Sequence, residues 1–272
     1  MPVKPYREYW NLQLDPYKAQ FQVLTKRVNL VRLDRFLVAK GLVTSRNRAS
    51  RLIAAGRVKV DGKTITKAAF DVTSEQVSVV DEPYVSRSAY KLIAALDESG
   101  TQVPERVLDA GASTGGFTQV VLERGAKQVY AVDVGHGQLV KQLHDDVRVI
   151  VHEGLNLRDL EITHLDNEPV SLIVADVSFI SLKLLLAPLL QVLSSEGVAL
   201  LLVKPQFEVG RELLGAAGVV TDPKLQQRVV AEIITKANEL GWSCDWQAKS
   251  ALPGLNGNQE YFVRLKPRIQ TK

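Results

Sequence analysis

The chain has 272 residues, of which 46 % are hydrophobic and 24 % are charged, a balance typical of globular proteins with one large core or two smaller ones. It contains no run of about 20 apolar residues and no apolar signal-peptide core, so we expect a cytoplasmic protein with no membrane partner. Cys244 is the only cysteine, which excludes an internal disulfide, and without companion ligands it predicts no metal site.

Charge is distributed unevenly along the chain. The net charge is +4, but residues 1–80 hold 15 lysines and arginines against 6 acidic residues, whereas residues 81–272 hold 19 against 24. A basic segment joined to an acidic one indicates a module that binds a polyanion, attached to a second functional unit. Within the basic part, residues 1–30 form a polar and aromatic extension with weak periodicity, to which we assign no function.

Residues 31–80 have the pattern of a small α+β domain. An apolar helical stripe begins at Leu33 and ends near Gly41, and Ser45 is the predicted N-cap of a second helix. Gly56 ends that helix, and the run VKVDGKTI predicts two strands joined by a tight turn.

Basic side chains line this predicted domain. Arg48 and Arg51 lie three residues apart on one face of the second helix, and further cations continue onto the hairpin, which is an electrostatic footprint for a phosphate backbone. The runs RLDRFL and SRNRASRLIAAGRVKVDG resemble the S4 RNA-binding domain, and this resemblance selects RNA over DNA or a membrane. The predicted RNA-binding residues are Arg32, Arg35, Arg46, Arg48, Arg51, Arg57, Lys59 and Lys63.

After a linker at residues 81–86, the segment 87–272 alternates between predicted strands and helices, which predicts a mostly parallel sheet with helices on both faces. The predicted strands cover 106–110, 128–133, 147–152, 171–176, 198–203, 243–249 and 260–266. The predicted helices cover 87–98, 116–124, 136–143, 182–193 and 223–240. The last two strands form a terminal hairpin, which is typical of class I methyltransferases. The sequence therefore predicts an α/β fold with a Rossmann-like class I methyltransferase sheet, preceded by the small α+β domain.

The stretch VLDAGASTGGFT predicts a strand that turns through a glycine-rich loop, residues 111–116, into a helix. The loop matches neither G-x-G-x-x-G nor a P-loop, because no lysine follows its glycines. Asp133 ends the next strand, where a carboxylate can accept hydrogen bonds from both hydroxyls of a ribose. NAD and S-adenosylmethionine share that ribose, so Asp133 alone leaves both open. The set Asp109, Gly111, Gly116 and Asp133, together with the terminal hairpin, favours S-adenosylmethionine.

Four ionisable residues fall where chemistry is expected. Asp176 and Lys204 end two predicted strands, at the edge where ligands bind in open parallel sheets. Lys91 lies on the helix that leads into the sheet, and Glu260 begins the last strand. Two other methylation chemistries fit less well. The fourth strand is followed by DVSF rather than the Asn/Asp-Pro-Pro-aromatic run of amino methylases, and Cys244 lies too far along the chain to be a pyrimidine nucleophile.

Eight motifs are spread over residues 31–267: RLDRFL, SRSAYKL, LDAGASTGGFT, VYAVDVGHGQL, ADVSFISL, VKPQFEVGRE, GVVTDP and LPGLNGNQEYF. Together they resemble the TlyA family, S4-domain proteins that carry an FtsJ-like 2′-O-ribose methyltransferase domain. The resemblance implies S-adenosylmethionine as cofactor and ribosomal RNA in ribosomal subunits as partner, with cytidine as the target nucleoside.

The resemblance also implies a catalytic tetrad of Lys91, Asp176, Lys204 and Glu260. A ribose hydroxyl must lose its proton as it attacks the sulfonium methyl, and a lysine can take that proton where burial or a second cation lowers the lysine pKa. Lys204 is the predicted base and Lys91 the predicted positioning group for the hydroxyl. The two carboxylates are predicted to orient the lysines.

The cofactor-binding residues implied in the same way surround the glycine loop. Phe117 and Val134 are predicted to flank the adenosine, with a place in the apolar core as the alternative for either. Leu155 departs from the threonine that relatives tend to carry before Asn156. The predicted cofactor-binding residues are Asp109, Gly111, Ala112, Ser113, Thr114, Gly115, Gly116, Phe117, Asp133, Val134, Asn156 and Asp176.

Two other functions compete with methyl transfer. One is an RNA-binding ribosome-assembly factor with little or no methylase activity, which the presence of all four tetrad residues and the glycine loop disfavours. The other is a membrane-active protein, because members of this family are often labelled haemolysins. Lysis needs a spanning or amphipathic apolar segment, and the sequence has neither.

Overall fold

The computed structural model describes residues 30–73, 76–80, 83–215 and 218–268. These residues belong to two compact units, which divide between residues 81 and 82. The predicted extension at 1–30 lies outside the described residues except for Leu30, and so do the first two residues of the predicted linker at 81–86.

Two helices and five short strands build the N-terminal unit. They are β1 (Val31–Arg32), α1 (Leu33–Ala39), α2 (Arg46–Ala54), β2 (Val58–Val60), β3 (Lys63–Ile65), β4 (Asp71–Val72) and β5 (Val77–Val79). Strand β1 pairs with β4, and β2 lies between β3 and β5 in an antiparallel sheet. The inward side chains of the helices and of β2, among them Leu33, Ile53 and Val58, have no exposed surface and form a core of their own.

Local signals in the N-terminal unit confirm the predicted helix start and turn. The Ser45 Oγ accepts a hydrogen bond from the Arg48 backbone N–H at 3.2 Å and so caps α2. Gly56 has φ +70° directly after that helix, a conformation that glycine adopts without strain. Asp61 and Gly62 both have positive φ, which is the turn that joins two antiparallel strands by two residues.

A seven-stranded sheet forms the centre of the C-terminal unit. Its strands are β6 (Arg106–Ala110), β7 (Gln128–Asp133), β8 (Val149–Glu153), β9 (Val170–Ala175), β10 (Leu193–Val203), β11 (Trp242–Lys249) and β12 (Tyr261–Pro267). Their order is β11-β12-β10-β9-β6-β7-β8. Strands β6 to β10 are parallel and β12 is antiparallel to both of its neighbours, so the α/β fold with a terminal hairpin is confirmed.

Helices cover both faces of this sheet. They are α3 (Ser88–Ser99), α4 (Gly116–Glu123), α5 (Lys141–His144), α6 (Leu186–Leu190), α7 (Pro205–Glu208) and α8 (Pro223–Glu239). Successive strand residues point to opposite faces, so Val107 packs with α3, α4 and α5, whereas Leu108 packs with α6 and α8. Strand β6 has β7 on one side and β9 on the other, and the crevice at the carboxyl ends of β6 and β9 is where such sheets bind ligands.

Two predicted helices are wrong in extent. The predicted helix 136–143 is reduced to α5, because Gly137 has φ +62° and the preceding residues form a loop. The predicted helix 182–193 consists of a 3-10 turn at Leu182–Leu184 followed by α6, and β10 begins already at Leu193. Pro188 has no N–H to donate to the Leu184 carbonyl, so it is tolerated in the first turn of α6 but a regular helix cannot continue into it from Leu182–Leu184.

Candidate active site

The glycine loop lies directly against the segment that follows β9. Gly111 has φ +87°, and a Cβ atom there would lie 2.9 Å from the backbone oxygen of Asp176. The Asp176 N–H in turn donates to the Ala110 carbonyl at 3.1 Å. Only glycine therefore allows the loops after β6 and β9 to approach this closely, and their contact forms one wall of the crevice.

Asp133 is held at the end of β7 by two backbone donors. Its Oδ2 accepts from the Ser113 N–H at 2.8 Å, and its Oδ1 accepts from the Gly135 N–H at 2.7 Å. A carboxylate has about four acceptor positions, so both oxygens can still accept bonds from a ligand diol.

Asp109 and Phe117 lie beneath the loop, not in the crevice. Asp109 has no exposed surface, and its Oδ2 accepts from the Thr118 hydroxyl at 2.6 Å. Burial raises the pKa of Asp109 to about 7, and the hydrogen bond from Thr118 only partly offsets this. The Phe117 ring is buried and stacked on Phe262 with centroids 6.3 Å apart. The prediction that Phe117 flanks the adenosine is therefore corrected: its ring belongs to the core, where a ligand cannot reach it.

A first cavity of about 440 Å³ occupies the crevice. It has polar groups from the loops and an apolar wall from residues such as Ile180 and Leu185. Six predicted cofactor residues line it: Gly111, Ser113, Asp133, Val134, Asn156 and Asp176. The other predicted loop residues, Ala112, Thr114, Gly115 and Gly116, are not among its lining residues, and Gly116 instead packs against Ser86 and against Ser88, the first residue of α3.

A second cavity of about 540 Å³ adjoins the first. The two share Asp176, Ser178 and Phe179, so a group bound in one can meet a group bound in the other. The polar residues of the second cavity include Lys91, Asp176, Ser178, Lys204, Gln206 and Glu260.

The four predicted tetrad residues come together as two ion pairs. Lys204 Nζ lies 2.6 Å from Asp176 Oδ1, and Lys91 Nζ lies 2.6 Å from Glu260 Oε2. Each lysine side chain is only 10 % exposed, so each pair is largely withdrawn from water. Buried charges persist where partners satisfy them, and the pairing orients each ammonium toward the second cavity.

Sequence reasoning missed the polar residues that support these pairs. Ser178 Oγ accepts a hydrogen bond from Lys204 Nζ at 2.8 Å, and Gln206 Nε2 donates to Glu260 Oε1 at 3.2 Å. Phe179 has φ +64° and a side chain that is 89 % exposed at the junction of the cavities. Serine, glutamine and phenylalanine near strand ends are too common to carry a signal of their own.

The predicted RNA-binding residues of the N-terminal unit divide into two groups. Arg32 and Arg46 form ion pairs with the buried carboxylate of Asp34, at 3.1 and 2.9 Å. Burial acts to raise the pKa of Asp34, but the hydrogen bonds from the two arginines outweigh it and lower the pKa to about 2. The predicted residues Arg35, Arg48, Arg51, Lys59 and Lys63 are exposed, and Arg57 is half-buried. Arg32 and Arg46 thus also stabilise the fold.

The described part of the chain offers neither a metal site nor a membrane-crossing helix. Across residues 30–73, 76–80, 83–215 and 218–268, no group of three or more His, Cys, Asp or Glu residues is arranged to hold a metal ion. None of the helices in these ranges combines the length and the apolar character that crossing a bilayer requires.

Comparison with known proteins identifies both units. Residues 84–267 match the FtsJ-like methyltransferase family, and residues 31–78 match the S4 domain. The chain is 45 % identical over 240 residues to the 16S/23S rRNA (cytidine-2′-O)-methyltransferase TlyA of Mycobacterium tuberculosis, covering 86 % of this chain and 89 % of that protein. It is 38 % identical to hemolysin A of Brachyspira hyodysenteriae over 86 % of this chain and 99 % of the relative. The crystal structure of a putative hemolysin from Streptococcus thermophilus matches with a TM-score of 0.70 and 36 % identity, over 90 % of this chain and 92 % of that one.

Proposed function

The chain belongs to the FtsJ-like methyltransferase family and to the TlyA group within it, and on that premise we propose that it methylates the 2′-hydroxyl of a cytidine in ribosomal RNA with S-adenosylmethionine. Its S4 domain is proposed to bind the RNA. The observation that carries the proposal is the meeting of two cavities at Asp176, one lined by the Asp133 carboxylate and the other by two lysine–carboxylate pairs.

The first cavity fits S-adenosylmethionine by the chemistry of its lining. Asp133 would accept hydrogen bonds from the two ribose hydroxyls, and the exposed side chain of Val134 would lie beside the adenine. Gly111 leaves the room that a Cβ would fill between the two loops. When bound, S-adenosylmethionine supplies a methyl group on a positively charged sulfur.

The second cavity would hold the target nucleoside. Lys91, fixed by Glu260, donates a hydrogen bond that positions the ribose hydroxyl. Lys204 would first have to give up its own ammonium proton to solvent, and its neutral Nζ would then accept the proton of the hydroxyl as the hydroxyl oxygen attacks. Asp176 then stabilises the ammonium that forms, since it lies 2.6 Å from that nitrogen. Because these groups are held before the substrate arrives, alignment of hydroxyl and methyl supplies much of the rate.

The exposed Phe179 ring lies at the same junction. Single-stranded nucleotides are commonly recognised by stacking of a base on an aromatic ring. We therefore assign Phe179 to the target base, while the basic residues of the N-terminal unit contact phosphates, which fix position without reading sequence.

The function is tested by transfer of labelled methyl from S-adenosylmethionine to isolated ribosomal subunits, followed by digestion to nucleosides. We expect label on the 2′-oxygen of cytidine with the wild-type protein and none with Lys204→Ala. Lys236→Ala, which removes an exposed lysine of α8, is the matched control and should label normally. A wild-type protein that binds the cofactor but labels neither subunit would favour the assembly-factor function instead.

A further inference from the structure

Two loops that carry tetrad residues run side by side. We call residues 176–182 the β9 loop and residues 204–210 the β10 loop. They are joined near their starts, where Lys204 Nζ donates to Ser178 Oγ at 2.8 Å. The rings of Phe179 and Phe207 then meet with centroids 5.1 Å apart. The β9 loop therefore lies against the β10 loop at both of these points, beside the junction of the two cavities.

The loops are joined a second time by the carboxylate of Glu208, which the mechanism does not use. Its Oε2 accepts from the Ser181 hydroxyl at 2.6 Å, and its Oε1 accepts from the Leu182 backbone N–H at 2.6 Å. Glu208 is half-buried, and burial raises its pKa although both hydrogen bonds oppose the rise. Bonds to an ionised acceptor are stronger than neutral ones, so a two-point contact of this kind holds its loop firmly.

Between the two contacts, the backbone is strained. Phe179 has φ +64°, a conformation that is unfavourable for a bulky residue, and its ring is turned outward to 89 % exposure. Such a conformation persists only where its surroundings enforce it. Ser178 is fixed on one side by Lys204, and Ser181 is fixed on the other by Glu208.

We propose that Glu208 is a positioning residue for methyl transfer: by tying Ser181 and Leu182 to the β10 loop, it holds Phe179 in its strained conformation, with the ring presented where the target nucleoside enters. The inference rests on the proposed function for the role of Phe179. Glu208 itself would not contact the substrate; it would act by fixing the conformation of the β9 loop.

The test compares the full-length Glu208→Ala and Glu208→Gln variants with Glu232→Gln. Glu232 is a surface carboxylate of α8 that pairs with Lys183 and Arg228, so its loss removes charge nearby without touching Ser181. For both Glu208 variants we expect faster hydrogen exchange confined to residues 178–182. We expect kcat to fall by about 10-fold to 100-fold, the range seen when a positioned group shifts by about 1 Å. Affinity for S-adenosylmethionine should fall much less than kcat, because Asp176 keeps its bond to Ala110 and only the Ser178–Ile180 edge of the cofactor cavity belongs to the loosened loop. Glu232→Gln should match wild type throughout.

A double-mutant cycle with Phe179→Gly isolates the mechanism. Glycine adopts positive φ without strain and carries no ring, so Glu208→Ala should lower kcat little further in that background. The inference would be overturned if the losses of kcat caused by Glu208→Ala and Phe179→Gly were additive. It would also be overturned if hydrogen exchange at residues 178–182 were unchanged in the Glu208 variants, or if their loss of kcat merely accompanied a general fall in melting temperature. If wild type transfers no methyl to RNA, the proposed function fails by itself. The exchange measurement needs no RNA and still decides whether Glu208 holds the loop.

Discussion

Four charges at the second cavity, three of them buried, are arranged as two lysine–carboxylate pairs, and each pair has one further polar partner: Ser178 bonds Lys204 and Gln206 bonds Glu260. Removing one partner from such a pair leaves an uncompensated charge, which is strongly destabilising, whereas the intact pair contributes little net stability. The pairs are therefore better explained by the chemistry they hold ready than by stability. Asp109 is a different case, because its carboxylate is buried with no cationic partner among the described residues.

Asp109 makes stability depend on pH. Its pKa is about 7 in the folded chain against an ordinary value of 3.8, so the unfolded chain loses this proton first and the stability is lost as pH rises from about 4 through 7. Asp109→Asn removes this pH dependence, and the amide oxygen of the new side chain can still accept the hydrogen bond from the Thr118 hydroxyl. Relative to wild type, the free energy of unfolding of Asp109→Asn should rise by about 2–3 kcal/mol between pH 5 and pH 8. Urea unfolding of both proteins at pH 5 and pH 8 measures this change. A difference in unfolding free energy between the two proteins that is the same at both pH values would contradict the raised pKa of Asp109.

At the level of secondary structure, both cavities depend on how closely the loops that follow neighbouring strands approach one another. The loops after β6 and β9 are in van der Waals contact at Gly111, and the loops after β9 and β10 are bonded through Lys204 and Glu208. The crevice is thus a product of three neighbouring parallel strands. The helices contribute differently, since α3 supplies Lys91 and the short α7 supplies Gln206 and Glu208, while the others mainly cover the sheet.

Gly111→Ala should abolish this close approach. The new Cβ would lie 2.9 Å from the Asp176 carbonyl oxygen, so one of the two loops must move. We expect this to cost about 1.4 kcal/mol of binding free energy or more, so the affinity for S-adenosylmethionine should fall by about tenfold or more. Gly125→Ala is the matched control, because Gly125 has φ +105° but nothing within 4 Å of a new Cβ. It should lose about 1 kcal/mol of stability through backbone strain and keep its cofactor affinity. Calorimetric titration of both variants decides the matter, and equal affinities would show that the contact is not needed.

The proposed function assigns RNA binding and chemistry to two units of opposite charge. The first 80 residues carry the excess of basic side chains, and the remainder carries an excess of acidic ones. Phosphate contacts give affinity that falls with salt, whereas the buried ion pairs of the second unit are screened much less. The two activities should therefore respond separately to mutation and to ionic strength.

The double variant Arg48→Ala/Arg51→Ala tests this separation. Both side chains are exposed on α2, so their loss should weaken RNA binding and lower the slope of log affinity against log salt by about 1 to 2, which is about 0.7–0.9 per phosphate contact. Affinity for S-adenosylmethionine should not change. Arg228→Ala on α8 is the control and should leave both unaltered. An unchanged salt slope in the double variant would remove these two arginines from the RNA interface.

Local patterns in the sequence were enough to predict the strand–glycine–helix crevice, the capped helix and hairpin of the N-terminal unit, and the terminal strand pair, because each depends on residues a few positions apart. The family resemblance supplied the four tetrad residues. Neither predicted which lysine pairs with which carboxylate. Lys91 and Glu260 are 169 residues apart, and Lys204 and Asp176 are 28 apart (204 − 176), so their pairing depends on strand order in the sheet.

Tertiary packing also determined the extent of one helix and the location of Phe117, which the sequence left ambiguous. The helix predicted at 182–193 is wrong in extent because a buried leucine run reads alike for a helix and a strand. In the structure the segment breaks before α6, since Pro188 in its first turn cannot bond to Leu184, and β10 begins at Leu193. Phe117 lies in the core because α4 turns that face toward β12. Sequence periodicity therefore determines which faces of this protein are apolar, because burial is a property of short segments. The order of the strands determines which polar groups meet, because ion pairs and loop contacts form only between segments that the sheet has made neighbours.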